Sequence, residues 1–235
     1  MHHEKLADKM EFPPETPQPN VYPLSWHCQT EKLEEVWDAS QREYWDPKKL
    51  PWDTFDPSSY SWEEREAIAY WWTLLSVFDA SAPPVFAEAF IKTYEMHEED
   101  AVRRCFFSVT RDEQNHEQMC GMAITRLLEH PDPLTYTPKT ELGWRLQKNA
   151  KWLYHNGGRY WTGYKAAVPK YSLAVLFSSF LMGEIAAATI FHQMAAGCTE
   201  PVFQEGFRNI GRDEGRHMAI CMSVMERDYP KLAKE

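Results

Sequence analysis

The 235-residue sequence contains no Cys-x-x-Cys pair, no run that alternates as a half-buried strand does, and no excess of positive charge. Each absence closes off a class. Its five cysteines, Cys28, Cys105, Cys120, Cys198 and Cys221, are odd in number and scattered, so neither a disulfide framework nor a zinc knuckle is indicated and a reducing, cytoplasmic setting is expected. Lys+Arg 25 against Asp+Glu 35 leaves a formal charge of -10, which repels phosphate backbones and anionic bilayers. No nucleic acid partner is expected. The opening Met1-His2-His3-Glu4 is not followed by the apolar stretch of a secretory signal. One run, Tyr171 to Phe191, is apolar over about the length that spans a bilayer, except for Glu184 near its middle. A carboxylate at mid-membrane is costly, so the run reads as a helix buried in a soluble bundle, with no membrane partner.

What is present is helix. Residues 1–60 are rich in Pro and Trp (PPETPQP, Trp26, Trp37, Trp45, Trp52), with one short helix near Glu31 to Tyr44, and read as an arm laid over a core. From residue 61 to 235 the pattern becomes long helical segments, which predicts a single all-α domain of bundle type. Ser61 can cap the first, and Pro83-Pro84 predicts a kink or restart within it. Further helices are predicted from about Glu98 to Glu129, from Thr137-Pro138 to Asn156-Gly157-Gly158, from Tyr171 to Gly197, and from Glu200-Pro201 to Tyr229-Pro230. The tryptophans Trp71, Trp72, Trp144, Trp152 and Trp161 read as core, and His192 as a packed histidine rather than a ligand.

The chemistry lies in an internal echo, Arg111-Asp112-Glu113-Gln114-Asn115-His116 and Arg212-Asp213-Glu214-Gly215-Arg216-His217. On a helix, positions i and i+3 share a face, so each Glu-x-x-His aims a carboxylate and an imidazole at one place where a metal ion can take both. One such motif is weak, since on the order of one chain in three of this length contains it by composition. Two copies with the same Arg-Asp prefix are far rarer. Apolar neighbours (Cys105, Phe106, Phe107, Val109; Met218, Ala219, Ile220) suggest that both face inward.

A di-metal site also needs a carboxylate from each of two other helices. Glu184 is the only acidic residue between Tyr171 and Gly197 and matches the depth of Glu214 in a hairpin turning near Gly197. In the other half, Asp79 matches the depth of Glu113 if the chain turns near His97, and Glu88, beyond the proline pair, is the alternative. Asp112 and Asp213 can each orient a histidine of the opposite motif, Asp213 for His116 and Asp112 for His217, or can simply pair with neighbouring arginines.

From about Trp37 to Met225 these residues resemble the ferritin-like di-iron carboxylate superfamily, and most closely its ribonucleotide reductase small-subunit branch, whose last ligand helix is similar to Arg212 to His217. The resemblance implies a ferritin-like four-helix bundle with additional helices. It implies that Glu113, His116, Glu184, Glu214 and His217 are metal ligands with Asp79 as the sixth, holding two iron ions or a manganese–iron pair. Dioxygen would be co-substrate, a small organic molecule the substrate, and an external electron donor a partner, in a monomer or homodimer. Three departures argue against a reductase role: Cys120 stands one turn after His116, where that branch has its radical tyrosine; the sequence ends at Glu235 without a long docking tail; and the spacing around Asp79 and Pro83-Pro84 differs. A di-metal oxidase or monooxygenase is therefore expected, with an iron-handling ferroxidase as the rival, and no stable tyrosyl radical.

Overall fold

The computed structural model describes residues 30–232, which are helical with no strand among them. The Pro-rich stretch, Trp26 and Cys28 lie outside the described residues. In chain order the elements are α1 (Glu31–Arg42), three short 3-10 turns (Pro47–Lys49, Trp52–Thr54, Pro57–Ser59), α2 (Trp62–Asp79), α3 (Ala82–Glu95), α4 (Asp100–Leu128), α5 (Glu141–Ala167), α6 (Leu173–Gly197) and α7 (Pro201–Leu232). Ser61 caps α2 as expected: its hydroxyl accepts from the Glu64 N–H while the Glu64 carboxylate accepts from the Ser61 N–H. The proline pair produces a restart, because Pro83 and Pro84 fall in the first turn of α3, where a missing N–H costs nothing. The turn into α4 is made at His97, which takes a left-handed φ of 55.

Two helix ends differ from the sequence reading. α5 begins after Thr140, whose hydroxyl accepts from the Gly143 N–H at 3.0 Å, and it runs through Asn156-Gly157-Gly158 to Ala167. Neither glycine takes the left-handed conformation that would end a helix. Gly157 instead lets α5 approach α2, since a Cβ there would stand 3.3 Å from Val77 Cγ1; packing outweighs the roughly 1 kcal/mol that a glycine costs a helix. α7 continues past Pro230 to Leu232, where so near the helix end a proline removes only a last-turn bond.

Burial corrects several aromatics. Trp72 is fully buried, but Trp71, Trp144, Trp152 and Phe107 are exposed. On α5 the buried stripe is Gly143, Gln147 and Ala150, which puts Trp144 and Trp152 on the outer side. Two stretches, Trp62–Glu95 and Leu173–Gly197, are long and apolar enough to cross a membrane. The first is broken at Ala80-Ser81; the second turns Glu184 inward and leaves Val175, Met182, Ile185 and Ile190 exposed on its outer face.

The long helices pack as a bundle: α6 along α7, α4 against α2 and α3 and across to α7, α5 outside against α2, and α1 over α4 and α7. The interior falls into two apolar clusters. One gathers Trp72, Met119, Ile124, Leu127, Phe207 and Ile210 with Trp45, Leu50 and Phe55 of the arm. The other gathers Phe86, Phe106, Phe177, Phe180, Ile220 and Val224, with Leu33. Along α4 the clusters are separated by residues 110–118, along α6 by 182–186 and along α7 by 211–219. A polar layer at one depth fills that gap, and both motifs and Glu184 lie in it.

Candidate metal centre

Four helical arms bring the polar layer together: α2 with Asp79 at its end, α4 with Glu113 and His116, α6 with Glu184, and α7 with Glu214 and His217. All six side chains are buried. Ligand atoms of Glu113, Glu184, Glu214 and His217 lie within 4.8 Å of one another. His217 Nδ1 stands 3.1 Å from Glu214 Oε2, 3.3 Å from Glu113 Oε1 and 3.3 Å from Glu184 Oε2. His116 Nδ1 adjoins the same group, 3.5 Å from Glu214 Oε1 and 3.6 Å from Glu113 Oε2. Asp79, buried at the end of α2, accepts the Cys120 thiol at 3.1 Å and is not among the four residues whose ligand atoms cluster.

Hairpin depth explains the convergence. Glu184 lies 13 residues before Gly197 (197 − 184) and Glu214 lies 13 after Pro201 (214 − 201), so the two face each other across the α6–α7 turn. Asp79 lies 18 residues before His97 (97 − 79) and Glu113 lies 16 after it (113 − 97). Glu88 is only 9 away (97 − 88); it points outward, 3.7 Å from Lys165 and partly exposed, and is not among the residues brought together. His192 also lies apart, with Nδ1 at 2.6 Å from the Ala188 carbonyl and its ring against Gly211.

The electrostatics are those of a site built around positive charge. Burial pushes the Asp79 carboxyl up to about 7, with the Glu113 charge adding and His116 and the Cys120 thiol opposing. Burial, reinforced by Glu184 and Glu113, also holds Glu214 well above the usual carboxylate range. Burial alone would raise Glu113, but hydrogen bonds and charge from His116 and His217 outweigh it and bring it down to about 2. Both imidazoles, which burial would push down, are driven well up by the carboxylates around them. Protons thus stand where a cation would. Asp79, Glu113, Glu184 and Glu214 carry four negative charges when ionised, the number that neutralises two divalent cations. His116 Nδ1, fully buried and without a hydrogen-bond partner, is a donor aimed into that space. The residues fit a metal pair.

Behind the histidines the Arg-Asp prefixes acquire a physical meaning. Asp213 Oδ2 accepts from His116 Nε2 at 3.1 Å and from the Trp45 indole N–H at 2.7 Å, while its other oxygen meets Arg216. Asp112 takes two bonds from Arg111 and one from Arg216, with His217 Nε2 at 3.7 Å. The crossed pairing is a hydrogen bond for Asp213 and His116; Asp112 is held mainly by arginines. Residues of both motifs also tie down the arm: Arg111 donates to the Ser40 carbonyl, Arg212 to the Glu43 carbonyl, Asn115 to the Trp45 carbonyl, and Arg216 to the Glu43 carboxylate. Sequence reasoning missed Trp45 and Arg216. Arg216 had a signal, since it occupies the motif position of Asn115; Trp45 had none.

Comparison with protein-family models, curated proteins and solved structures finds no match for this chain. The site's geometry therefore carries the argument alone.

Asp79 and Glu88 can be separated by metal analysis. Asp79→Ala should lower the metal content or weaken binding, whereas Glu88→Ala should load like the parent. Full and equal loading of both would reduce the site to five ligands.

Proposed function

We propose that this chain is a ferritin-like di-metal carboxylate oxidase or monooxygenase that uses dioxygen to oxidise a small organic substrate. The observation that supports it most is the buried convergence of three carboxylates, Glu113, Glu184 and Glu214, with the Nδ1 atoms of His217 and His116, from three helices. Asp79, Glu113, Glu184, Glu214, His116 and His217 would hold two iron ions, or one manganese and one iron, as their mostly oxygen donors favour. A reduced pair bound there supplies electrons to dioxygen. Asp213 fixes the ring of His116 through Nε2 and so keeps Nδ1 pointing inward. The two apolar clusters above and below the layer keep bulk water out.

The reductase-like alternative needs a phenol beside the metals. Cys120 sits at the position one turn beyond His116, about 6 Å along the axis, where it donates to Asp79 and cannot give a phenoxyl radical. Tyr94 packs on Phe90 and Arg103, Tyr164 on Phe180, and Tyr171 is exposed; Tyr154, whose hydroxyl meets Ser76 one turn before Asp79, is the phenol the alternative would have to use. The side chain of Tyr160 lies outside the described residues.

Iron loading followed by oxygen exposure tests the reading. Protein prepared with iron should hold about two ions per chain. After reduction it should consume dioxygen faster with a suitable substrate and leave no persistent tyrosyl signal in electron spin resonance. Oxygen-isotope incorporation into product separates monooxygenase from oxidase. Tight binding of one zinc with exclusion of iron would overturn the metal assignment. A long-lived tyrosyl signal lost in one Tyr→Phe variant would restore the reductase reading, and repeated iron turnover beyond two ions per chain would favour the ferroxidase.

A further inference from the structure

The echo between the two motifs runs one helical turn beyond their histidines. Cys120 stands four residues after His116 (120 − 116) and Cys221 four residues after His217 (221 − 217), and both thiols are buried. Their surroundings break the symmetry. Cys120 Sγ lies 3.1 Å from Asp79 Oδ2, whereas Cys221 has no hydrogen-bonded carboxylate among the described residues and the matching acid, Glu184, turns to His217 Nδ1 at 3.3 Å. We infer that Cys120 is a positioning residue that holds Asp79 back from the centre, so that the second of two metal ions is bound only as Asp79 exchanges the thiol for the metal. This inference rests on the two-metal reading above.

One half of the layer is already gathered. Ligand atoms of Glu113, Glu184, Glu214 and His217 lie within 4.8 Å of one another, a mixed carboxylate and imidazole set that a single divalent cation can take with little movement. The other half is short of a group. His116 Nδ1 is fully buried and has no hydrogen-bond partner, and the carboxylates beside it, Glu214 at 3.5 Å and Glu113 at 3.6 Å, already belong to the gathered set. Asp79 is the acid left to complete it. Among the described residues Asp79 pairs with neither imidazole, and its hydrogen-bond partner is Cys120.

The bond to Cys120 opposes ligation whichever atom carries the hydrogen. A thiol donating to a carboxylate and a protonated carboxyl donating to sulfur are both lost when Asp79 closes on a cation, and neither group finds water to replace the other, since Cys120 is packed among Trp72, Leu75, Ala123 and Ile124. Position makes the exchange feasible. Asp79 is the last residue of α2, where the chain breaks before α3, and residues at the end of an element absorb small backbone changes most readily. A thiol that instead steered Asp79 toward the metal would have the opposite effect on affinity, so the sign of one measurement separates the two roles.

The test is titration of the metal-free full chain with cobalt(II), followed by calorimetry and visible absorption. The parent should take about two ions per chain, the second more weakly than the first. Cys120→Ala should leave the first step in place and tighten the second about three- to tenfold, the range that one hydrogen bond spans. Cys120→Val, which fills the space without a donor, should do the same and serves if the alanine variant fails to fold. Cys120→Ser keeps a donor and should return the second step to the parent's strength or below it. Cys221→Ala, the same deletion in the other half, should leave both steps unchanged. A thiol needed only for packing would move both steps together, and the serine variant would not restore the parent's pattern. A second step that is weakened or unmoved in the donor-free variants overturns the inference, as does a thiolate-to-cobalt charge-transfer band that disappears in Cys120→Ala, because sulfur would then be a ligand. One ion at saturation in the parent would overturn the two-metal reading along with it. Two ions whose second step ignores Cys120 would overturn the positioning role alone and leave the centre standing.

Discussion

A His217→Ala variant is expected to retain at most one of two metal ions and to bind iron more than about 100-fold more weakly than the parent. Losing a group that merely orients a ligand costs about 10–100-fold, and His217 stands in the centre itself. Its Nδ1 lies within 3.3 Å of carboxylate oxygens from Glu113, Glu184 and Glu214, which come from three different helices. No neighbouring side chain can replace that nitrogen, since His116 Nδ1 serves the other side of the cluster. Metal analysis after dialysis checks the outcome. His192→Ala is the matched control, because that ring lies against Gly211 away from the cluster and its loss should leave loading unchanged. Full occupancy in His217→Ala would remove the residue from the site.

A second large effect should be purely structural. Glu66 on α2 is completely buried and accepts from the Tyr136 hydroxyl at 3.0 Å, the Lys139 N–H at 2.5 Å, the Thr140 N–H at 3.1 Å and the Thr140 hydroxyl. One side chain thus fixes residues 136–140, the end of the crossing from α4 into α5. Glu66→Ala leaves several donors short of an acceptor at about 1–3 kcal/mol each, partly relieved by entering water, for a net loss of about 3–5 kcal/mol. For a chain of this size that lowers the melting temperature by about 10 °C or more. The crowding is tight enough that a Cβ at Gly143 would fall 2.1 Å from Glu66 Oε2, so Gly143→Ala should also destabilise. Metal loading should survive Glu66→Ala at low temperature, because Asp79 lies 13 residues further along α2 (79 − 66), about 20 Å away. A melting shift within about 2 °C of the parent would refute the clamp.

The parts of this molecule that could be read from sequence are those governed by a spacing rule. The i, i+3 geometry of two echoed motifs, one acid in an otherwise apolar helix, and equal distances from a turn suffice to bring Glu113, His116, Glu184, Glu214 and His217 to one depth, and they leave Asp79 and Glu88 as alternatives for the remaining carboxylate. The all-helical class follows from the same periodicity. What escaped depends on rotation and on long-range partners. Trp45 reaches Asp213 across 168 residues from a stretch with no repeating pattern. Gly157 and Gly158 read as a helix end because composition cannot reveal that α2 lies against one and open space against the other. Trp144 and Trp152 read as core because apolar character does not say which side of α5 faces inward.

The arginines that open the two motifs bind the carbonyls of Ser40 and Glu43, and Trp45 completes the bonding of Asp213 behind His116. Those bonds belong at once to the strap formed by residues 40–45 and to the scaffolding of the centre. Reciprocity then follows from thermodynamics: by whatever factor a seated strap tightens metal binding, bound metal holds the strap down by the same factor. The two halves of the centre, 101 residues apart in sequence (214 − 113), answer to one peripheral segment, so peeling that segment away loosens both together.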